Sequence, residues 1–212
     1  MIFQLTKELR FPHPSLANES GLLAIGGDLG AERLLLAYAN GIFPWYSDGE
    51  PICCYAPNPR CVLYPKNIII SKSMQKVLKD KIFTITANQA FADVISNCKN
   101  KERPGQDGTW ITDDMKNAYI ELHKKGHAHS LEVWQKNKLV GGLYGIKMGE
   151  IFCGESMFSL VSNASKAALI WLCKNGGYKL IDCQVPTEHL MRMGAEEISI
   201  QEYLQILHAT KN

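Results

Sequence analysis

Two carboxylates stand inside apolar, strand-like runs between Lys138 and Gln184, and this arrangement restricts the possible folds more than any other feature of the chain. Lys138-Leu-Val-Gly-Gly-Leu-Tyr-Gly-Ile146 and Glu150-Ile-Phe-Cys-Gly-Glu-Ser-Met-Phe158 flank a turn at residues 147–149 and read as a β-hairpin. After them Ala164, Ala167, Ala168, Trp171 and Leu172 recur at helical spacing, with Ser162 or Asn163 as the expected cap and Gly176-Gly177 as the stop. Tyr178-Lys-Leu-Ile-Asp-Cys-Gln-Val185, bounded by Gly and Pro, then predicts a buried strand. The order is strand, strand, helix, strand.

The carboxylates are Glu155 and Asp182. An unpartnered buried carboxylate costs several kcal/mol, so it requires hydrogen-bonded company or a cleft. Alternation along a strand puts Asp182 and Gln184 on one face and turns Cys183 to the other; the same rule groups Cys153, Glu155 and Met157. Either acid taken alone fits equally well at a strand end in solvent. Two within one strand-strand-helix-strand unit favour a shared site.

With 212 residues, of which 46% are hydrophobic, the chain has material for one large domain or a small one beside a medium one. No apolar run approaches the roughly 18 residues that span a bilayer, and the first residues lack a signal-peptide pattern, so a cytoplasmic protein is expected. The seven cysteines, without a CxxC pair or regular spacing, are expected to be reduced. A net charge of +2 excludes a bulk polyelectrolyte binder and directs attention to local charge.

Along the chain, Phe11-Pro-His-Pro14 is a stiff, extended start, residues 21–28 a short strand into a Gly26-Gly27 turn, and residues 31–40 a helix stopped by Gly41. Gly-Gly-Asp lacks the glycine fingerprint and the Lys of a phosphate loop. Phe43, Trp45, Tyr46 and Tyr55 fit either a small satellite core or a platform on which a base stacks. Next come six basic residues (Arg60, Lys66, Lys72, Lys76, Lys79, Lys81) against Asp80, a local balance of +5, with Lys72, Lys76 and Lys79 one turn apart on a helix starting near Ser71. That face fits a phosphate backbone or a merely solvated surface. A strand over 82–86, a helix over 90–98, a helix capped by Thr112 and a strand reaching Trp134 follow; residues 187–195 and 201–208 are helical, with a short strand at 198–200. His123, His127 and His129 fall short of a zinc site, because no acid or Cys at ligand spacing completes the set.

The motifs FPHP, GLLAIGGDL, ERLLLAYANGIFPWY, APNPR, GTWITDDM, HAHSLEVW, LVGGLYG, IFCGESMFS, NASKAAL and KLIDCQV occur in the order in which they occur in the leucyl/phenylalanyl-tRNA-protein transferase family, which the chain resembles over nearly its whole length. The resemblance implies an α+β fold: a small N-terminal α+β domain (residues 1–60) and a larger GNAT-like, N-acetyltransferase-like domain with a mixed sheet (61–212). It implies transfer of Leu or Phe, with Met a further candidate, from aminoacyl-tRNA to the α-amine of proteins starting with Lys or Arg, marking them for degradation in the bacterial cytoplasm. Trp45 and Trp110 then match residues that hold the 3′-terminal adenosine, and Leu143, Phe152, Met157, Leu169 and Ile181 an apolar side-chain pocket. Glu155, Asp182 and Gln184 match the polar centre, and Lys72, Lys76 and Lys79 would lie under the acceptor stem. The chain departs from the family at Cys54 and Tyr55, where Trp is usual, at Leu143, where Met is common, and at Thr187, which can be Asn.

An aminoacyl ester is already activated, and an N-terminal amine has a pKa of about 8, so positioning and a mild base suffice. In this reading Asp182 accepts or relays the amine proton, Gln184 orients amine and carbonyl, and Glu155 supplies negative charge; no cofactor or metal is implied. Whether Asp182 is the base or a ribose hydroxyl assists is open. Three rivals differ in their requirements. An acetyl-CoA-type N-acyltransferase wants a glycine-rich loop that residues 158–166 lack, and a non-catalytic RNA-binding module leaves the strand acids unexplained. A hydrolase using Cys183 and His189 needs the thiol to face the site.

Overall fold

The hairpin is the centre of a mixed seven-stranded sheet. In the computed structural model, which describes residues 2–101 and 111–209, the strands are β1 (Phe3–Leu5), β2 (Leu22–Gly26), β3 (Phe43–Pro44), β4 (Cys53–Tyr55), β5 (Arg60–Leu63), β6 (Thr84–Ala87), β7 (Ala128–Gln135), β8 (Lys138–Met148), β9 (Ile151–Ser159), β10 (Leu180–Gln184) and β11 (Glu196–Ile198). The helices are α1 (Ala31–Ala39), α2 (Lys72–Lys79), α3 (Phe91–Lys99), α4 (Asp113–Lys124), α5 (Ala164–Asn175), α6 (Glu188–Arg192) and α7 (Ile200–Ala209). The large sheet runs β11-β5-β10-β9-β8-β7-β6, and a four-stranded sheet β1-β2-β4-β3 lies on the N-terminal side of the chain. Within the large sheet β9 and β10 are parallel, joined through α5, and the other neighbours are antiparallel.

Alternation gives the large sheet two apolar faces. Leu63, Leu143, Phe152 and Ile181 pack with α2 and α5, while Val62, Tyr144, Cys153 and Leu180 pack with α1, α3, α4 and α7. Each strand thus supplies both cores, which is why these runs are nearly continuously apolar. Leu34 and Tyr38 of α1 join the second cluster, so the N-terminal segment shares a core with the large sheet.

The register of the large sheet breaks between β7 and β8 at Val133/Trp134 and at two further places, both on the candidate acids' strands. Tyr144 pairs with Ser156 but Gly145 pairs with Gly154, leaving Glu155 as the extra residue of a bulge. Asp182 pairs with Val62 but Gln184 with Cys61, leaving Cys183 extra, and Gln184 takes a positive φ of 65°. The grouping of Cys153, Glu155 and Met157 is therefore corrected. The bulge reverses the parity of β9, so Met157 packs with Phe152 on the α5 side while Cys153 and Phe158 face the opposite core.

Local reasons for most elements match the residues. Thr112 Oγ1 accepts from the Met115 N–H at the start of α4, Ser71 caps α2 from its side chain, and Gly41 sits at φ 71° just past α1. The expected cap of α5 is different. Asn163 has φ 72° and no side-chain capping bond; Ser159 Oγ instead accepts from the Ser165 N–H at 3.3 Å. The Gly26-Gly27-Asp28 turn is held by Arg33, whose Nε donates to Asp28 at 2.9 Å and whose Nη atoms donate to the carbonyls of Thr6 and Glu8. That accounts for the turn without a phosphate.

Gly145 faces the bulge at closest approach: a Cβ there would stand 2.2 Å from the Cys153 carbonyl oxygen and 2.6 Å from the Phe152 ring. Gly145→Ala is expected to destabilise the protein by about 1–3 kcal/mol through backbone displacement at the bulge, measured by urea unfolding.

Candidate functional site

Asp182 lies on β10, an interior strand of the large sheet, and has no exposed surface, so everything it needs must come from protein. Arg60 Nε donates to its Oδ1 at 2.8 Å and Arg60 Nη2 to its Oδ2 at 2.6 Å, a bidentate pair. Tyr203 Oη of α7 donates to Oδ2 at 2.9 Å and the Gln184 N–H to Oδ1 at 2.9 Å. Four donors thus occupy the carboxylate, whose two oxygens offer about four acceptor positions. The guanidinium is itself sandwiched, 4.8 Å from the centroids of both the Phe43 and Tyr203 rings. Burial works against its charge, but the Asp182 carboxylate prevails and raises its pKa.

Glu155 is the second centre. Gln184 Nε2 donates to its Oε1 at 2.8 Å and Tyr119 Oη of α4 to its Oε2 at 3.0 Å, and Tyr119 is in turn in short contact with Tyr38 Oη of α1. Gln184 therefore joins the acids, with its N–H on Asp182 and its amide on Glu155. Burial pushes the Glu155 carboxyl up to about 7; the Tyr38, Tyr119 and Gln184 hydrogen bonds hold it down only partly, and the Asp182 charge adds to the rise. No guanidinium or ammonium is bonded to it among the described residues. Of the two acids, Asp182 is the neutralised one.

Both acids open onto one cavity of about 560 Å³. Leu143, Phe152, Met157, Leu169 and Ile181 line it, all five of the expected apolar residues. Glu155, Asp182 and Gln184 form its polar end, and Trp45, 37% exposed, stands among its lining residues with its ring tilted against Tyr55 at 5.5 Å. Phe43 and Tyr46 are buried, and of the two only Phe43 reaches the cavity, beside Trp45. Trp110 lies outside the described residues. Lys72, Lys76 and Lys79 are exposed on α2, away from the cavity lining.

Sequence reasoning placed Arg60 in the basic surface stretch, and this is corrected: it is 1% exposed and belongs to Asp182. The available signal was the need of a strand Asp for an opposite charge, met by an Arg opening the apolar run Arg60-Cys-Val-Leu63. Tyr38, Tyr119 and Tyr203 come from three helices distant in sequence, and nothing local marked them. A third buried strand acid, Glu132, was not singled out; Ser130 and Thr86 hydroxyls donate to it at 2.5 Å each, and it is absent from the cavity lining. Cys183 lines the cavity, but its hydrogen bond to Cys61 and its burial hold the thiol well above its ordinary pKa, opposing a thiolate nucleophile. Among the described residues no group of three or more His, Cys, Asp or Glu is placed to hold a metal ion, and no helix is long and apolar enough to cross a membrane.

Comparison with known proteins gives a consistent family. A family model described as leucyl/phenylalanyl-tRNA protein transferase matches residues 62–208, and the N-terminal-domain model of the same family matches residues 27–58. A leucyl/phenylalanyl-tRNA--protein transferase of Flavobacterium johnsoniae is 56% identical over 209 residues, covering 97% of this chain and 99% of its own. One of Syntrophobacter fumaroxidans is 52% identical, covering 97% and 89%. Among solved structures, L-PGS from Bacillus licheniformis is similar at 11% identity and a TM-score of 0.43, over 81% of this chain and 55% of that one.

Arg60→Met is expected to lower stability by about 3–5 kcal/mol by leaving Asp182 buried and unpaired, and Arg60→Met with Asp182→Leu to recover most of the loss; urea unfolding of the three proteins measures both. The raised Glu155 carboxyl carries a second expectation. Its folded value of about 7 exceeds the ordinary 4.5, so its contribution to stability is complete below about 4.5 and is lost as pH rises through about 7. Glu155→Gln should flatten that decline in a series of urea midpoints taken across the interval.

Proposed function

Because the chain belongs to the leucyl/phenylalanyl-tRNA protein transferase family, we propose that it moves Leu or Phe, with Met as a further donor, from aminoacyl-tRNA to the α-amine of proteins that begin with Lys or Arg, marking them for degradation in the bacterial cytoplasm. The observation that carries the detailed reading is one cavity with an apolar wall of five side chains and a polar end built from Glu155, Gln184 and Asp182. An aminoacyl ester has the same division: an apolar side chain beside a carbonyl and an amine. Residues 1–60 serve as the N-terminal part and 61–212 as the N-acetyltransferase-like catalytic part.

Leu143, Phe152, Met157, Leu169 and Ile181 hold the transferred side chain, with selectivity limited to the few kcal/mol that apolar contact gives. Trp45 stacks on the terminal adenosine, assisted by Trp110, and Lys72, Lys76 and Lys79 meet acceptor-stem phosphates. The neutral acceptor amine attacks the ester carbonyl, the C–N bond forms, the C–O bond to the ribose breaks, and one proton passes from nitrogen to the departing ribose oxygen. Gln184 orients amine and carbonyl from its amide, and Asp182 fixes Gln184 through its N–H. The Asp182 carboxylate already accepts from four donors, so taking up the amine proton, whether to hold or to relay it, would displace one of them. Glu155 supplies the negative charge that favours a cationic N-terminal residue.

Labelled leucine from leucyl-tRNA should pass to a peptide starting with Arg and not to one starting with Gly, and Gln184→Ala should slow single-turnover transfer by about 10²–10³-fold. Absence of transfer by folded protein that binds the tRNA would overturn the reading. Replacing Lys72, Lys76 and Lys79 by Glu should weaken tRNA binding and reduce the slope of log affinity against log salt by about 2–3, measured by filter binding at several ionic strengths.

A further inference from the structure

We propose that Glu155 takes the proton released as the C–N bond forms, that Tyr119 backed by Tyr38 sets how readily it does so, and that Arg60 keeps Asp182 out of proton transfer. This rests on the transferase reading and assigns to Glu155 a task beyond supplying charge.

Acceptor capacity decides between the two acids. Both oxygens of Asp182 are taken twice over, by Arg60 Nε and Nη2, Tyr203 Oη and the Gln184 N–H. A proton arriving there must break a bidentate buried ion pair and leave Arg60 uncompensated. Glu155 receives Gln184 Nε2 on Oε1 and Tyr119 Oη on Oε2, with Tyr38 as a third donor, so of its about four lone-pair directions at least one stays open, and none of its donors is a cation. It also lines the cavity beside Ser156 and Met157, next to the amide that would orient the amine. It is the extra residue of the β9 bulge, and its donors Tyr38 and Tyr119 come from the core that also holds Cys153.

The groups facing Glu155 are few and can be named by element. They are Tyr38 from α1, Tyr119 from α4, Cys153 on β9 itself, and Gln184 and Asp182 from β10, with Arg60 of β5 and Tyr203 of α7 behind Asp182. Tyr144 of β8 meets the Tyr119 ring edge-on at 5.7 Å. Lys101 and His189 line the same cavity, Arg60 is committed to Asp182, and the donors bonded to the Glu155 carboxylate are the tyrosine hydroxyls and the Gln184 amide. Losing the Tyr119 hydroxyl removes one of them and makes the carboxyl hold its proton to higher pH. Tyr119 is a positioning residue; Glu155 is the catalytic one. In the balanced step the amine nitrogen gives its proton to Glu155 as the C–N bond forms, and Glu155 returns it to the ribose oxygen as the C–O bond breaks.

The test is the pH dependence of kcat/KM for transfer from leucyl-tRNA to an Arg-starting peptide. Two deprotonations are required in the wild type, the peptide amine near pH ~8 and Glu155, so the log plot should fall with a slope of about two at low pH. Glu155→Gln should lower the rate about 10²–10⁴-fold and reduce that slope to about one. Tyr119→Phe should move the lower break upward by about one pH unit, with the amine break unchanged because the peptide is the same. Should Tyr119→Phe fold poorly with the Tyr38 hydroxyl left behind, Tyr38→Phe with Tyr119→Phe removes both and must shift the break in the same direction. Asp182→Asn should be slower yet keep the slope of about two. A slope that drops in Asp182→Asn and persists in Glu155→Gln, or a lower break indifferent to Tyr119, overturns the proposal while transfer itself still occurs. No transfer by the wild type at any pH overturns the transferase reading and the proposal together.

Discussion

The buried pair between Arg60 and Asp182 is the constraint on which the rest of the structure depends. A carboxylate without solvent in the middle of a sheet is tolerable only with an opposite charge and a full set of donors, and supplying these recruits distant parts of the chain. Arg60 comes from β5, Tyr203 from α7, Phe43 from β3 as one face of the guanidinium sandwich, and the fourth donor from Gln184 two residues along. Asn58, just before Arg60, accepts from the Ile200 N–H at the first residue of α7, fixing the helix that carries Tyr203. One ion pair therefore ties the N-terminal segment, β10 and the last helix into a single arrangement.

The cavity follows from irregularities in the two strands that lie side by side. Bulges at Glu155 on β9 and Cys183 on β10 interrupt adjacent, parallel strands where Glu155, Asp182, Cys183 and Gln184 line the cavity. The positive φ of Gln184 belongs to the same distortion and lets its amide reach Glu155 while its N–H stays on Asp182. Apolar residues of the α5 face close the other end. A polar centre against an apolar wall is what an aminoacyl ester and an incoming amine require.

The two acids differ because their surroundings differ. Asp182 faces a guanidinium, and Glu155 faces hydroxyls and an amide in the same low-dielectric interior, so one charge is neutralised and the other stays adjustable near neutral pH. Glu132 shows that burial of a strand acid is insufficient to mark a site. It is satisfied by Ser130 and Thr86, away from the cavity, and serves the packing of β6 against β7.

The strand-strand-helix-strand unit, the Thr112 cap, the helix start near Ser71 and the Gly41 stop were legible in the sequence, because periodicity, capping and apolar runs act over a few residues. So was the presence of two costly acids in one unit, whereas the five apolar cavity residues were implied by the family resemblance. Tertiary structure alone decided the partners and the aim: a bulge inverts parity without a local signature, which is why Met157 left the company of Cys153, and an Arg at the head of an apolar run looks the same whether it meets solvent or a carboxylate 122 residues away. The tyrosines of α1, α4 and α7 reached the acids through contacts 21 to 81 residues apart in sequence. Local preference is written in neighbouring residues, whereas compensation of a buried charge is settled only when the folded chain shows which donors remain within reach.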